Sequence, residues 1–273
     1  MLFSGCPWLY WSRINKCEFE DMQVVEISSR SLEILRIINC SSNGKYEVLF
    51  DTPAISVLEY HNDVAHAYSV KNLGHLSEAQ LDLEVTSEQW EEDGWNYFRT
   101  IAEFVAACSH VATLSLSLNC IEAINSSGRL LPKFSSLCTL TLGDIEEKGW
   151  NLLPRLLESS PNLKVLNFER GIFEYKGYTE FMAHMTEHVP RCFSSSLYKI
   201  ELEEFKWKED DLKLVEHFLN IAKVLRQMKI SSNLFSVKQL SMSRKLLMLT
   251  KHSTLREIDI QKEKTKILEF SLM

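Results

Sequence analysis

The apolar residues of this chain recur in a short pattern, Leu-x-x-Leu-x-Leu, in which other apolar residues replace some of the leucines. Successive copies start 21 to 35 residues apart. Within each copy the last two apolar positions are separated by one outward-facing residue, which is typical of a half-buried β-strand. The nine copies start at Leu32, Ile55, Leu76, Val111, Leu137, Leu163, Leu197, Leu225 and Leu255.

The longer segments between these strands have apolar residues at steps of three and four, which predicts helices. One strand and one helix in a period of about 20–29 residues is typical of leucine-rich repeats. The chain is therefore predicted to be an α/β solenoid of irregular leucine-rich repeats, with a curved parallel sheet and helices on the convex side. Helices are predicted over residues 88–108, 144–160, 208–224 and 237–250, and the short polar linkers near the N-terminus, such as residues 41–51, are predicted to be turns.

Composition narrows the class of partner. The chain is 45% hydrophobic and 25% charged with a net charge of −7, so we expect a folded protein that does not bind nucleic acid. No stretch approaches the roughly 18 apolar residues of a membrane span, so no membrane partner is expected. The apolar N-terminus has no preceding basic region and contains Pro7, which argues against a signal peptide. We expect an intracellular protein, cytoplasmic or nuclear, that is not secreted.

The seven cysteines are scattered along the chain without a Cys-x-x-Cys pair. Their odd number and irregular spacing argue against a disulfide framework or a zinc site. We expect buried thiols in a reducing compartment, and neither a metal nor a cofactor. Cys40 falls three residues after Ile37, at the Asn/Cys position of the repeat, where a small side chain turns inward to contact backbone groups.

The residues from His184 to His188 match His-x-x-Glu-His, which is a zinc-peptidase motif. A metalloenzyme is therefore a minor alternative to a binding protein. That chemistry needs both histidines on one well-formed helix and a third ligand. Pro190 ends any helix at this point, so a solvated linker is predicted instead.

Two other groups of residues have simple structural interpretations. His61 and His66 have no further metal ligands nearby in the sequence except Asp63, and they are predicted to be turn residues. The aromatic residues of the first predicted helix are predicted to lie in the core rather than to form a ligand cage. They are Trp90, Trp95 and Phe98.

Stacked strands would bring their outward residues into one ladder on the concave face, and repeat scaffolds usually bind partners on such a face. The residue between the last two apolar positions of each copy is the candidate for partner binding. The set is polar, mixed in charge and free of aromatic residues, which is compatible with a protein partner. Its members are Arg36, Glu59, Gln80, Ser115, Thr141, Asn167, Glu201, Lys229 and Asp259.

Two stretches carry a resemblance to a known family. Residues 2–7, Leu-Phe-Ser-Gly-Cys-Pro, followed by Leu9, resemble the repeat opening of plant F-box/leucine-rich-repeat proteins, and residues 31–39 and 46–83 resemble the repeats that follow it. The stretch from Val189-Pro190-Arg191-Cys192 to Met228 resembles the FBD domain, a C-terminal module found mainly in plant F-box proteins. The resemblance implies repeats over residues 1–188 and FBD-like repeats that continue the solenoid over residues 189–273.

In that family the F-box binds a Skp-type adaptor of a cullin ubiquitin ligase, and the repeats hold the substrate. The resemblance therefore implies a non-enzymatic scaffold for substrate recognition by an SCF-type (Skp-cullin-F-box) E3 ligase. No F-box is visible in this sequence, and Ser12 stands where the first repeat would have a leucine. The alternative is a chain without an F-box that binds an unidentified protein independently of the ligase, or competes with the ligase for it.

Overall fold

A computed structural model describes residues 2–3, 5–19, 22–42, 45–143, 145, 147–170, 177–233, 241, 243–246, 248 and 257–262. Its strands form one ten-stranded and one three-stranded sheet, and neighbouring strands are parallel throughout. The strands are β1 (Trp11–Asn15), β2 (Val24–Ser28), β3 (Ile34–Ile38), β4 (Glu47–Asp51), β5 (Val57–Asp63), β6 (Ala67–Asn72), β7 (Glu78–Glu84), β8 (Thr113–Leu116), β9 (Thr139–Leu142), β10 (Val165–Phe168), β11 (Lys199–Leu202), β12 (Gln227–Ser232) and β13 (Glu257–Lys262).

The helices occupy the longer connections between strands of the large sheet. They are α1 (Ser87–Ala107), α2 (Leu118–Ser126), α3 (Glu147–Ser159), α4 (Gly177–Glu187), α5 (Arg191–Ser195) and α6 (Glu209–Ile221). Helices α1, α3 and α6 agree with three of the sequence predictions, whereas α2, α4 and α5 were not predicted. The predicted helix over residues 237–250 lies largely outside the described residues.

The large sheet has the order β1-β3-β5-β7-β8-β9-β10-β11-β12-β13, so it contains one strand from each repeat. The three pattern residues of the first eight copies are all at most 2% exposed, and Ile258 and Ile260 of the ninth are partly buried. This arrangement confirms the predicted fold, a parallel leucine-rich-repeat solenoid with irregular repeats.

Backbone hydrogen bonds at the start of each strand hold the register. In each case one carbonyl oxygen accepts hydrogen bonds from two consecutive N–H groups of the next unit. The carbonyl oxygen of Tyr10, for example, accepts from the N–H groups of Glu33 and Ile34, at nitrogen–oxygen distances of 2.8 and 3.0 Å. This contact repeats along the stack, so each unit fixes the position of the next. The equivalent carbonyls belong to Glu33, Ser56, Ser77, Ala112, Cys138, Lys164 and Tyr198.

The convex side of the N-terminal units differs from the prediction. Strands β2, β4 and β6 form the three-stranded sheet there, and β4 lies within residues 41–51, which were predicted to be turns. Val48 and Phe50 of β4 are buried, and the backbone of β4 pairs with both neighbouring strands. The prediction failed because these hydrogen bonds come from stacked neighbours and not from the local sequence.

Helix α1 marks the change from a sheet to helices on the convex side. Its Phe104 ring stacks on Tyr68 of β6 and Phe50 of β4, at centroid distances of 4.2 and 5.6 Å. Phe104 also meets Tyr60 of β5 edge-on at 5.9 Å. These rings close the end of the three-stranded sheet and join it to the helical layer. None of the described helices is both long enough and apolar enough to cross a membrane.

Candidate protein-interaction surface

The outward residues of the ten strands form one continuous row on the face opposite the helices. In the strand pairing Arg36 lies beside Glu59, Glu59 beside Gln80, and so on to Lys229 beside Asp259. The register therefore brings all nine predicted ladder residues together, and it adds Arg13 of β1 beside Arg36. The intervening members are Ser115, Thr141, Asn167 and Glu201.

Charges lie at both ends of the row and neutral residues lie in the middle. Near the N-terminal end Arg36 Nε lies 2.8 Å from a carboxylate oxygen of Glu59. In the middle Asn167 donates a hydrogen bond to the Thr141 hydroxyl at 3.2 Å. Thr141 itself is buried. The half-buried central residues Gln80, Ser115 and Asn167 are uncharged and polar, so they suit hydrogen bonding to a partner more than ion pairing.

Glu201, near the C-terminal end of the row, is already paired within the chain. One of its carboxylate oxygens lies 2.5 Å from Lys199 Nζ, and the other lies 3.9 Å from Lys229 Nζ. Its side chain is only 14% exposed. A charge reversal here would place three cations together, so this residue is a poor test of partner binding.

A second row on the same face adds the aromatic residue that the predicted ladder lacks. Trp11, Ile34 and Val57 lie side by side in β1, β3 and β5, two positions before the ladder residues. Trp11 is 44% exposed, and Ile34 and Val57 are half-buried. Interfaces favour tryptophan, so this corner is a candidate anchor for a partner. Sequence analysis missed it because only one position per strand was considered.

Two cavities lie at the carboxyl ends of the strands, beside the row. Their volumes are about 380 and 330 Å³, and they share His61, Asp82 and Glu84. Burial, together with the nearby carboxylates of Glu84 and Glu88, raises the pKa of Asp63 in the wall of the smaller cavity. The carboxylates of Asp82 and Glu84, which line both cavities, give this edge negative charge. His61 is a residue of β5 and not of a turn, so the turn prediction was wrong for it.

The predicted inward turn of Cys40 is present. Cys40 is 2% exposed, and its thiol donates to the Ile38 carbonyl at a sulfur–oxygen distance of 3.6 Å. The Cys40 N–H donates to the side-chain oxygen of Asn62, whose amide group donates to the Tyr46 hydroxyl at 3.2 Å. Asn62 joins two units through these bonds. The repeat pattern did not single it out, because it lies two rather than three residues after Tyr60.

The His-x-x-Glu-His segment is helical. His184 and Glu187 belong to α4, so the linker prediction was wrong, although the helix does end before Pro190. The rings of His184 and His188 stack with centroids 5.1 Å apart. Across the described residues, no group of three or more His, Cys, Asp or Glu side chains is arranged to hold a metal ion.

Three buried thiols are poor nucleophiles at neutral pH. Burial raises the pKa of Cys108 and Cys192 to about 12 and that of Cys120 to about 11. The reactive form of a cysteine is the thiolate, and these side chains remain protonated. Their role is packing between the sheet and the helices. All seven cysteines of the chain are free.

The predicted aromatic core of α1 is only partly present. Phe98 is 9% exposed, but Trp90 and Trp95 are 49% and 62% exposed. The backbone of α1 leaves the helical conformation at Asp93, with φ −165° and ψ 66°. The helical phase therefore changes between the two tryptophans, and a periodicity argument does not extend across the break.

The stack of units, the single row across ten strands and the helices behind it define a leucine-rich-repeat solenoid, a class of proteins with extended binding surfaces. Comparison with known sequences shows which proteins the chain is similar to. A family profile for the FBD domain matches residues 186–230, which include α5, β11, α6 and the first four residues of β12. An Arabidopsis thaliana F-box/LRR-repeat protein is 28% identical over 276 residues, covering 92% of this chain and 52% of that protein.

Other Arabidopsis thaliana proteins give the same result. A second F-box/LRR-repeat protein is 28% identical over 85% of this chain and 57% of its own length. A protein named F-box/FBD/LRR-repeat is 26% identical over 85% of this chain and 51% of its own length. The chain is similar to plant F-box/leucine-rich-repeat proteins, and its C-terminal part is similar to the FBD domain. It spans about half the length of the curated relatives it matches.

Proposed function

We propose that this chain recognises protein substrates for an SCF-type (Skp-cullin-F-box) E3 ubiquitin ligase and performs no chemistry itself. The observation that carries the proposal is the unbroken row of outward side chains from Arg13 to Asp259. A receptor of this kind acts by raising the effective concentration of the substrate near the ligase. The family relationship supports the link to the ligase, and the row supports the recognition surface.

The dimensions of the row indicate the size of its partner. Ten strands have nine spacings of about 4.8 Å each, which gives a surface about 43 Å long. An extended segment that crosses the strands along this surface would need about 13 residues, at about 3.3 Å per residue. The partner would place an apolar side chain against Trp11, Ile34 and Val57. Polar groups of the partner would hydrogen-bond to the neutral middle of the row.

A matched pair of variants tests the recognition surface. Asn167→Lys puts a cation into the middle of the row, whereas Asn151→Lys makes the same change on an exposed position of α3, behind the sheet. We expect Asn167→Lys to weaken partner binding by about tenfold or more, as at a typical interface hot spot. The Asn151→Lys variant should bind as the original chain does.

The measurement is affinity purification of each variant from the native cells, followed by quantitative mass spectrometry. The recognition surface predicts proteins that Asn167→Lys loses and Asn151→Lys keeps. Because no F-box is visible in this sequence, a Skp-type adaptor and a cullin would accompany them only through a partner subunit, and their presence would support the ligase link. Retention of those proteins without the adaptor and cullin would favour a ligase-independent binder. Identical sets of proteins for the two variants would show that the row is not the recognition surface.

A further inference from the structure

The exposed tryptophans of α1 form a compact cluster with Phe98 on the helical side of the molecule. Trp90 lies 6.0 Å from Trp95 and 5.3 Å from Phe98, measured between ring centroids. Trp95 meets Phe98 edge-on at 6.1 Å. We call these three residues the α1 aromatic cluster. Exposed apolar patches of this kind usually mark interaction sites.

The backbone holds the cluster in place. Gly94 is buried, and a Cβ atom added to it would lie 2.2 Å from a ring carbon of Trp90. The indole of Trp90 therefore rests on the Gly94 backbone, where any larger side chain would displace it. Asp93 restarts the helix, because its side chain accepts a hydrogen bond from the Asn96 N–H at 3.3 Å. The rings are thus positioned before any partner arrives.

The charge around the cluster is negative. Residues 88–99 contain four carboxylates and one basic residue, Arg99, which is exposed and donates a hydrogen bond to the Asn96 side chain. Glu91 and Asp93, which flank the cluster in sequence, are both exposed. Glu92 is ion-paired with Lys45, which comes from a different part of the chain. An uncharged apolar partner would have to desolvate these carboxylates without compensation, whereas a cationic partner would pair with them.

We propose that the α1 aromatic cluster binds an arginine-bearing segment of a partner protein. The guanidinium group stacks on the indole faces of Trp90 and Trp95, and the surrounding carboxylates attract its charge. Tryptophan is the best aromatic partner for a cation, and the planar guanidinium stacks on it better than an ammonium does. This surface lies on α1 and the predicted ladder on the opposite side of the sheet, so the two can be tested independently.

The probe is a fluorescently labelled short peptide in which arginine alternates with glycine and serine. Its anisotropy is measured against the whole chain at low and high salt. We expect Trp95→Ala and Trp90→Ala each to weaken binding by about threefold to fivefold, as for exposed cation–π contacts, and the double variant to weaken it further. Binding to the original chain should also weaken as salt is added.

Three further variants test the position of Trp90 and control for misfolding and for nonspecific binding of the peptide to tryptophan. Gly94→Ala keeps every charge and every indole but displaces Trp90, so it should weaken binding about as much as Trp90→Ala. Gly74→Ala is the matched control, because a Cβ there has no neighbour within 4 Å. Trp8→Ala removes another tryptophan, which is 91% exposed, and should leave binding unchanged.

Several results would overturn the proposal. One is equal affinity of the double variant and the original chain, and another is no binding of the arginine peptide at all. A third is equal binding of a peptide with leucine in place of arginine, which would indicate an apolar partner. A fourth is a dimer of the original chain, seen by sedimentation, that the double variant lacks. In that case the cluster would be an interface between two copies.

Discussion

His217 is a buried histidine of α6. It is 8% exposed and packs against the rings of Phe181 and Phe218, at centroid distances of 6.4 and 6.5 Å. Among the described residues, none forms a hydrogen bond with its Nε2 atom. Burial lowers the pKa of His217, because the charged imidazolium would lose its hydration in this environment.

The first prediction concerns the pH dependence of stability. As the pH falls below about 6.5, the unfolded chain takes up a proton at His217 before the folded chain does, so the free energy of unfolding decreases. His217→Leu removes this contribution. We expect its free energy of unfolding to fall less between pH 7.5 and pH 5.5 than that of the original chain.

Urea unfolding at the two pH values measures this difference. His75→Leu serves as the control, because His75 is exposed and its removal should leave the original pH dependence in place. If both histidine variants show the same pH dependence as the original chain, His217 does not stay neutral in the folded state.

The sequence predicted the orientation of some side chains and the exposure of others with different success. The ladder positions were predictable because a strand has a period of two, and buried residues on both sides fix the direction of the residue between them. The exposure of Trp90 was not predictable. It depends on a backbone break at Asp93 and on the space that Gly94 leaves, and neither has a periodic signal.

At the scale of elements, the start of α1 carries a complete capping box. The Thr86 hydroxyl accepts from the Gln89 N–H at 3.3 Å, and the Gln89 side-chain oxygen accepts from the Thr86 N–H at 3.1 Å. The amide group of Gln89 also donates to the Val64 carbonyl at 2.8 Å. The cap therefore connects α1 to the end of β5 as well as satisfying its first N–H groups.

The second prediction follows from this cap. Thr86→Ala removes the acceptor of the Gln89 N–H and should lower the free energy of unfolding by about 1 kcal/mol. Thr86→Ser keeps a hydroxyl and should cost less. Ser87→Ala changes the next, exposed residue and should have little effect. Thermal and urea unfolding of the three variants test this order, and an equal loss for Thr86→Ala and Ser87→Ala would contradict it.

Elements also differed in their predictability. The strands of the large sheet were predicted because each carries its own apolar pattern. Strand β4 was not, although Val48 and Phe50 alternate with exposed or half-buried residues as in any strand. Four or five residues of alternation occur in many turns as well. The strand forms here because β2 and β6 supply hydrogen-bond partners on both sides.

At the scale of the whole molecule, each unit contacts mainly its neighbours, so stability should vary along the chain. Asn62→Ala tests this third prediction. It removes the buried acceptor of the Cys40 N–H, at a cost of roughly 1–3 kcal/mol, whereas the Tyr46 hydroxyl keeps its bond to the Asp63 carbonyl. We expect faster hydrogen exchange in β1 to β6 and unchanged exchange in β10 to β12.

Hydrogen exchange followed by mass spectrometry resolves the two regions. Asn72→Ala is the matched control, since Asn72 is exposed and its bond to Asp51, at 2.7 Å, lies on the surface. A uniform increase in exchange along the whole chain would show instead that the solenoid unfolds as one cooperative unit.

The change from a second sheet to helices behind the row determines how the solenoid bends. Strands on both sides of the N-terminal units are spaced at about 4.8 Å, so these units stack without opening on one side. The axes of packed helices are about 8–10 Å apart, which is wider than the spacing of the strands. The units from α1 onward are therefore expected to be farther apart on the helical side than on the sheet side. We therefore expect the N-terminal units to curve less than the units from α1 onward. A rigid folded partner along the entire row would then need a flatter surface at the N-terminal end than beyond it, whereas an extended segment could follow both parts of the row.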